Sequence, residues 1–200
     1  MPRPGVEELR RRQLVDATIS TIGENGLGGT SLAEVARRAG LSVGLVSHYF
    51  DGKNGLLEAT LRTILARLGA EARRRFERAD TPRQRIRAIV DANLSYEQLD
   101  PELGAVWLAF WAEALHSDRL RRIQKVNQRR LYSNLLYAVR ELVAPGEAER
   151  VAETVACLID GVWLRSTLSG QPGTNRQSRA MVHEAVDAIL DATIREGSKP

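Results

Sequence analysis

Residues 30–59 read TSLAEVARRAGLSVGLVSHYFDGKNGLLEA and contain two short helical patterns on either side of Gly40. Ser31 is followed three residues later by Glu34, which is the pattern of a capping box at a helix start. Gly40 can adopt the left-handed conformation that ends the first helix, and Ser42 can cap the second helix. Two short helices joined by a turn that contains glycine are typical of a helix-turn-helix.

The second helix of this pattern has small or polar side chains on the face that its apolar residues leave free. Leu41, Leu45 and Val46 can pack inward against the first helix. The outward positions are Ser42, Val43, Gly44, Ser47 and His48. In helix-turn-helix proteins the start of the second helix contacts base edges in the major groove. Gly44 weakens the helix by about 1 kcal/mol relative to alanine, and it would let the helix lie close to the groove.

Three rings end this helix, and they cannot all point the same way because successive helical side chains diverge. We expect His48 to contact a phosphate or a base, and Tyr49 to hydrogen-bond a phosphate through its hydroxyl. Phe50 is predicted to be a core residue, and Lys53 can add a positive charge where the next helix begins. The spacing alone also fits two helices of an ordinary bundle, and positive charge is concentrated only at Arg10–Arg12.

The rest of the chain is also predicted to be helical. Its 200 residues are 43% hydrophobic and 27% charged, as in a globular protein. Apolar residues recur at helical spacing, and no segment alternates as a strand does. Cap and break signals stand at Thr81-Pro82, Asp100-Pro101, Pro145-Gly146 and Gln171-Pro172-Gly173. We expect an all-α fold of about nine helices, with a three-helix head at residues 1–53 and a helical body at residues 54–200.

Composition and motifs argue against an enzyme, a secreted protein and a membrane protein. The single cysteine, Cys157, excludes an internal disulfide and is expected to be a buried small side chain. The N-terminus lacks the apolar core of a signal peptide, and the longest apolar run, Ala105–Ala112, is too short to span a membrane. The histidines make no metal spacing, and residues 23–31 lack the Gly-Lys-Ser/Thr of a phosphate loop. We expect a cytosolic protein without a cofactor, whose net charge of +4 suits a polyanionic partner.

The body contains an aromatic group that could bind a cation. Trp107 and Trp111 lie four residues apart on one helix face, with Phe110 beside them. Trp163 lies three residues after Asp160, which is a carboxylate in the otherwise apolar run CLIDGVWL. Rings and a carboxylate suit a quaternary ammonium, which is attracted to aromatic faces and has no N–H to donate.

Choline fits this group of side chains, and its hydroxyl needs one polar contact. The candidates for that contact are Asn93, Tyr96 and Glu113. Tryptophans at helical spacing are also common in cores, so the same rings could simply be packed there. The alternatives for Asp160 are an ion pair with Arg130 or Arg165 and a place at a subunit contact.

Residues 30–59 resemble the N-terminal signature of the TetR family of one-component repressors. The matching elements are the Thr30-Ser31 start, Ala36 and Gly40 at the turn, the Tyr49-Phe50 pair and Lys53. The strings RRRQLVDAT, SHYFDGKNGLLEAT, WLAFWAEALH, RRLYSNL and LIDGVWLR resemble one branch, the choline-responsive repressors of glycine-betaine synthesis genes. The resemblance covers most of the chain, and it implies a three-helix DNA-binding head, with Thr30 and Ser31 among its contacts, and a ligand-binding body.

The resemblance implies a homodimeric repressor that binds double-stranded operator DNA and releases it on binding choline or a related cation. The last two helices, near residues 147–169 and 175–195, carry apolar stripes that the resemblance assigns to a four-helix dimer interface. A dimer is also favoured physically, because two recognition helices must reach successive major grooves about 34 Å apart. The alternatives are a repressor that senses another lipophilic cation or a drug, and a helical scaffold that binds a protein partner and no DNA.

Overall fold

The computed structural model describes residues 4–169 and 175–197, and all regular structure in these ranges is helical. The described residues form nine helices: α1 Pro4–Asn25, α2 Leu32–Ala39, α3 Val43–Tyr49, α4 Gly52–Phe76, α5 Pro82–Asn93, α6 Pro101–Ala114, α7 Asp118–Val139, α8 Pro145–Ser169 and α9 Asn175–Gly197. The predicted all-α fold is confirmed. The predicted break at residues 171–173 lies outside the described residues. Within the two ranges, no helix combines the length and the apolarity that a bilayer crossing requires.

The helix boundaries follow the capping signals of the sequence. The hydroxyl oxygen of Ser31 accepts a hydrogen bond from the backbone N–H three residues later at 3.1 Å, and that of Ser42 does the same at 3.3 Å. Thr81 and Gln84 form a complete reciprocal capping box at the start of α5. Gly40 has φ of +66° and ends α2, a conformation that glycine adopts without steric cost.

The first helix begins close to the N-terminal end of the described residues. It starts at Pro4 and spans 22 residues. Proline is favoured in the first helical turn because its fixed φ matches the helix and its missing N–H has no partner there. Glu7–Arg11 and Glu8–Arg12 ion pairs at i,i+4 spacing add support to this first part of the helix.

The first three helices pack around one apolar cluster. Leu14 of α1, Val35 of α2 and Val46 of α3 are fully buried in it, and Leu56 of α4 joins them. Phe50, which follows α3 directly, is buried in the same cluster, as predicted. Because α3 has only seven residues, it is too short to be stable by itself, and this packing holds it in a helical conformation.

Contacts between residues divide the chain into two compact units. One comprises Met1–Ala66 and Asp100–Gln124, and the other comprises Arg67–Leu99 and Lys125–Pro200. In the first unit α1 packs against α2 and α6, and in the second unit α8 packs against α9 and α5 against both. The predicted boundary after residue 53 falls within α4, so the division into a head and a body stays a prediction.

Cys157 is exposed on α8, and the prediction of a buried side chain was wrong. The buried residues Val151, Val155 and Ile159 recur every four positions along this helix. Since each residue advances the helix by about 100°, Cys157 falls on the side opposite to this buried stripe. The apolar run around it therefore does not indicate burial at every position.

Candidate DNA interface and effector site

The helix α3 buries one face and exposes the other. Val46 is fully buried and Tyr49 is only 7% exposed, so these two residues define the inner face. The exposed positions are Val43, Gly44, Ser47 and His48. Positions i, i+1, i+4 and i+5 lie on one side of a helix, so these four residues form one continuous surface. We call this surface, residues 43, 44, 47 and 48, the α3 outer face.

Gly44 lies in the middle of the α3 outer face, and the fold does not require a glycine there. Apart from its chain neighbours and the backbone of α3 itself, no described residue lies within 4 Å of a Cβ atom at this position, and the φ angle of Gly44 is not positive. Alanine would fit and would favour the helix by about 1 kcal/mol. The missing side chain therefore keeps the outer face flat, which suits close approach by another molecule.

Two predicted DNA contacts do not present their hydroxyl groups to solvent. Thr30 is buried, and its hydroxyl donates a hydrogen bond to the carbonyl of Gly26 at 2.8 Å. The hydroxyl of Tyr49 is buried and has no hydrogen-bond partner among the described residues. The hydroxyl of Tyr49 is turned inward because Tyr49 follows Val46 by three residues and shares its direction. That Thr30 and Tyr49 contact DNA stays a prediction.

The other predicted contacts at the helix starts are accessible. Ser31 and Ser42 are exposed, and each hydroxyl still has a hydrogen to donate after accepting the N-cap bond. The Nζ atom of Lys53 donates to the carbonyl of Leu27 at 2.6 Å, which places its ammonium at the turn between α1 and α2. An ammonium has three donors, so two remain for an anion.

The basic residues of α2 are neutralised by neighbouring acids. Arg37 pairs with Glu34 at 2.5 Å, and Arg38 pairs with Glu24 of α1. The hydrogen bonds from these arginines lower the pKa of Glu34 and of Glu24. Arginines with carboxylate partners add little net positive charge to the surface. The Arg38–Glu24 pair joins two helices and has no signal in the sequence.

Arg11 is positioned differently from the arginines of α2. Its guanidinium carbon lies 5.4 Å from the centroid of the Tyr49 ring and 5.3 Å from that of the Phe50 ring. The sequence singled out Arg11 only as part of a charge cluster on α1. Its place over two rings could not be found without the tertiary structure, because α1 and α3 are far apart along the chain.

The first unit contains the ring cluster of α6. Trp107 and Phe110 are buried, and Trp111 is half-buried. The ring centroids of Trp107 and Phe110 lie 5.8 Å apart, and those of Trp107 and Trp111 lie 6.2 Å apart. We call these three residues the α6 ring cluster. The structure brings the three rings together as predicted. Tilted contacts of this kind also occur between rings in a core, so the cation-binding cage stays a prediction.

The second unit contains the other predicted effector residues. Trp163 is buried, and its indole Nε1 donates a hydrogen bond to the carbonyl of Gln98 at 2.8 Å. Asp160 lies on α8 and is exposed in part of its surface. The protein around its carboxylate still removes some of the solvating water, and this desolvation, together with the like charge of Glu153, raises the pKa of Asp160. Since Trp163 and the α6 ring cluster belong to different units, their combination in one cage stays a prediction.

The candidates for the choline hydroxyl differ in their surroundings. Tyr96 is 80% exposed, and its contact with the choline hydroxyl stays a prediction. The Nδ2 atom of Asn93 donates to the carbonyl of Ile89 at 2.8 Å, which leaves its amide oxygen as an acceptor. Glu113 is half-buried on α6, two residues after Trp111.

Two family models match the chain. Residues 14–60 match the bacterial regulatory proteins of the tetR family, and residues 82–191 match the C-terminal part of BetI-type transcriptional repressors. The chain belongs to the TetR family. Its C-terminal region assigns it to the BetI-type repressors of this family. The family resemblance of the sequence is thereby confirmed.

Relatives of known sequence and structure agree with this assignment. The HTH-type transcriptional regulator BetI of Paraburkholderia xenovorans LB400 is 48% identical over 192 residues, which cover 95% of this chain and 98% of the relative. A transcriptional regulator of Pseudomonas aeruginosa PAO1 has a TM-score of 0.81 and 30% identity over 95% of this chain and 94% of its own. A transcriptional regulator of Saccharomonospora viridis, crystallised in complex with choline, has a TM-score of 0.76 and 19% identity over 90% and 95% of the two chains.

The family fixes the class of function. This BetI-type TetR protein is a DNA-binding transcriptional repressor with a helix-turn-helix and not an enzyme. The helix-turn-helix of the family lies within residues 14–60, which contain α2, α3 and the first part of α4. The second alternative from the sequence, a scaffold that binds no DNA, is therefore excluded.

Proposed function

We propose that this repressor binds an operator as a homodimer and senses choline or a closely related quaternary ammonium to control glycine-betaine synthesis genes. The observation that carries the DNA part is the flat α3 outer face around Gly44, where the fold itself does not require a glycine. The observation that favours the effector is the α6 ring cluster. The choline complex of the Saccharomonospora viridis regulator supports the same effector.

In the proposed complex, α3 lies in the major groove with its outer face toward the bases. Gly44 and Ser47 then face base edges, which determine sequence preference. His48 at the end of this face, together with Ser42 and Lys53, contacts backbone phosphates, which determine register and affinity. The start of α4 adds the positive end of a helix dipole beside Lys53.

The dimer is proposed to form through α8 and α9. Three large apolar side chains of these helices, Leu164, Leu168 and Met181, are exposed in the single chain. The exposed Cys157 lies on α8 seven residues before Leu164 and extends the same apolar surface. A second copy that covers this surface would remove apolar area from water and place two α3 helices for successive grooves.

Changing Leu168 to glutamate is expected to shift the protein from dimer to monomer. Leu168 is 67% exposed, so the substitution leaves the core of the single chain intact but puts a charge into the proposed interface. Light scattering coupled to gel filtration measures the mass directly. The matched control is Val126→Glu on α7, which is also largely exposed and is expected to remain dimeric. A Leu168→Glu protein that stays dimeric at micromolar concentration would contradict the α8–α9 interface.

The effector is proposed to act by thermodynamic linkage. A ligand that binds better to a conformation whose α3 helices are wrongly spaced for DNA must weaken DNA binding by the same factor. We propose that α4 carries this change, because it follows α3 after only two residues. In the first unit the buried Glu58 of α4 forms ion pairs with Arg62 and with Arg119 of α7, which ties the start of α4 to a second helix.

Choline is expected to raise the thermal unfolding midpoint of the protein, and uncharged alcohols of similar size are not. A ligand at about 100 times its Kd stabilises the folded state by about 2.7 kcal/mol. A thermal-shift titration with choline, betaine aldehyde, glycine betaine and larger quaternary cations measures the order of preference. Stabilisation by the larger lipophilic cations alone would overturn the choline proposal and favour a drug or lipophilic-cation sensor.

Operator binding is tested with DNA from upstream of the gene that encodes the chain. Fluorescence anisotropy with this duplex and with a scrambled duplex of equal length gives the affinity for each. We expect tighter binding to the upstream DNA and release when choline is added. Equal affinity for both duplexes at every salt concentration would contradict specific operator recognition.

A further inference from the structure

Arg11 of α1 reaches the end of the recognition helix through two rings. Its guanidinium lies over the ring of Tyr49 at 5.4 Å and over the ring of Phe50 at 5.3 Å. All three residues belong to the first compact unit. A guanidinium over aromatic faces is attracted by the ring quadrupole and is held in a defined orientation.

The guanidinium of Arg11 has N–H groups that can donate hydrogen bonds to another partner. Its polar contact within the described part of the chain is with Glu7, where Nε lies 3.5 Å from the carboxylate oxygen. The side chain is 40% exposed. An arginine has five N–H donors in a fork that matches a phosphate, so the two terminal nitrogens of Arg11 stay available.

The position of Arg11 is next to the α3 outer face. The ring centroid of Tyr49 lies 5.4 Å from that of His48, which is one of the exposed residues of that face. Arg11 and His48 therefore both lie beside the Tyr49 ring. A phosphate contacted by His48 is the one that we expect Arg11 to share.

We propose that Arg11 binds a backbone phosphate of the operator and that the Tyr49 and Phe50 rings hold it in place for this contact. The proposal rests on the operator binding proposed above. It also gives Tyr49 a role that agrees with its burial. The buried hydroxyl of Tyr49 makes no contact among the described residues, so the ring, and not the hydroxyl, serves DNA binding.

Arg12 is the neighbouring residue without such support. Its Nε donates to Glu8 at 3.1 Å, and its side chain is 66% exposed. A flexible, paired arginine contributes less to a defined phosphate contact than one held over rings. Arg12 is therefore a matched control for Arg11 on the same helix.

The test is the salt dependence of DNA affinity of the full-length protein. Each phosphate contact contributes about 0.9 to the slope of log K against log salt concentration on duplex DNA. Arg11→Ala in a dimer is expected to reduce the slope by about 1.8 for upstream and for unrelated DNA, and Arg12→Ala by much less. Thermal unfolding shows whether each variant is folded. If Arg11→Ala does not fold, Arg11→Gln is used in its place.

Two Tyr49 variants separate the ring from the hydroxyl. Tyr49→Phe keeps the ring and is expected to bind DNA with the wild-type slope, whereas Tyr49→Leu is expected to reduce the slope as Arg11→Ala does. The double variant Arg11→Ala/Tyr49→Leu should bind nearly as well as either single variant, because both remove the same contact.

The outcomes distinguish this proposal from operator binding itself. The wild-type protein could show a steep dependence of log K on log salt concentration while Arg11→Ala shows the same slope. That result would overturn only the Arg11 proposal. A loss of slope in Tyr49→Phe equal to that in Arg11→Ala would also overturn it, because the hydroxyl would then be the contact. Wild-type protein that binds no duplex at any salt concentration would overturn operator binding and this proposal with it.

Discussion

Replacing Gly44 with glutamate is expected to lower operator affinity by at least about 100-fold without destabilising the protein. In the free protein the substitution is tolerated, because position 44 is exposed and no described residue outside the adjoining turn of α3 lies within 4 Å of a Cβ there. Glutamate also favours a helix more than glycine does. In the complex the same side chain would fill the space needed for close approach and bring a negative charge among the phosphates. A like-charge contact of this kind costs several kcal/mol, and 100-fold corresponds to about 2.7 kcal/mol.

The matched control for this substitution is Gly146→Glu at the start of α8. Gly146 is also an exposed helical glycine with no atom within 4 Å of a Cβ. It lies in the second unit, so glutamate there should leave the operator affinity unchanged. Anisotropy gives the affinities, and urea unfolding gives the free energy of unfolding. If the Gly44→Glu protein bound the operator as tightly as wild type, the α3 outer face could not be part of the DNA interface.

Local signals in the sequence were sufficient to predict the helix-turn-helix. The N-cap residues Ser31 and Ser42 and the left-handed Gly40 act within four residues along the chain, so their effect is readable without the fold. The direction of side chains along α3 also followed, because helical periodicity and the apolar residues define an inner face. This reasoning placed Phe50 in the core and Gly44 and Ser47 on the outside.

Long-range contacts could not be predicted in the same way. The spacing of Tyr49 from Val46 indicates an inward direction, whereas the packing of α1 over its ring joins distant parts of the chain and has no local signal. Cys157 was placed in the core from an apolar run, although the buried stripe of α8 lies on its other side. The pairing of Arg38 with Glu24 likewise joins two helices and has no signal in either one.

For the effector residues as well, contacts within one helix could be predicted and contacts between helices could not. The spacing of Trp107, Phe110 and Trp111 predicted one ring cluster correctly, because all three residues lie on a single helix. Asp160 and Trp163 lie on a different helix and in a different unit. Sequence periodicity carries no information about the distance between two helices, so it could not tell whether these residues complete a cage.

Changing Trp111 to leucine is expected to weaken choline binding by about 10- to 30-fold. A desolvated cation–π contact contributes about 2 kcal/mol, and tenfold corresponds to about 1.4 kcal/mol. Trp111 is the suitable position because it is half-buried. Truncating the buried Trp107 would cost about 3–5 kcal/mol of stability and confuse loss of binding with unfolding. Isothermal titration calorimetry at fixed ionic strength measures the affinity.

The neutral carbon isostere of choline isolates the charge contribution, because a quaternary carbon replaces the nitrogen and the shape is unchanged. Wild type should bind choline more tightly than the isostere, and Trp111→Leu should reduce this preference, whereas Trp111→Phe should retain part of it. The control Tyr137→Leu removes an exposed ring of the second unit and should leave both affinities unchanged. If Trp111→Leu weakened choline and the isostere equally, the ring would act by packing alone, and recognition of the cation would have to lie elsewhere in the protein.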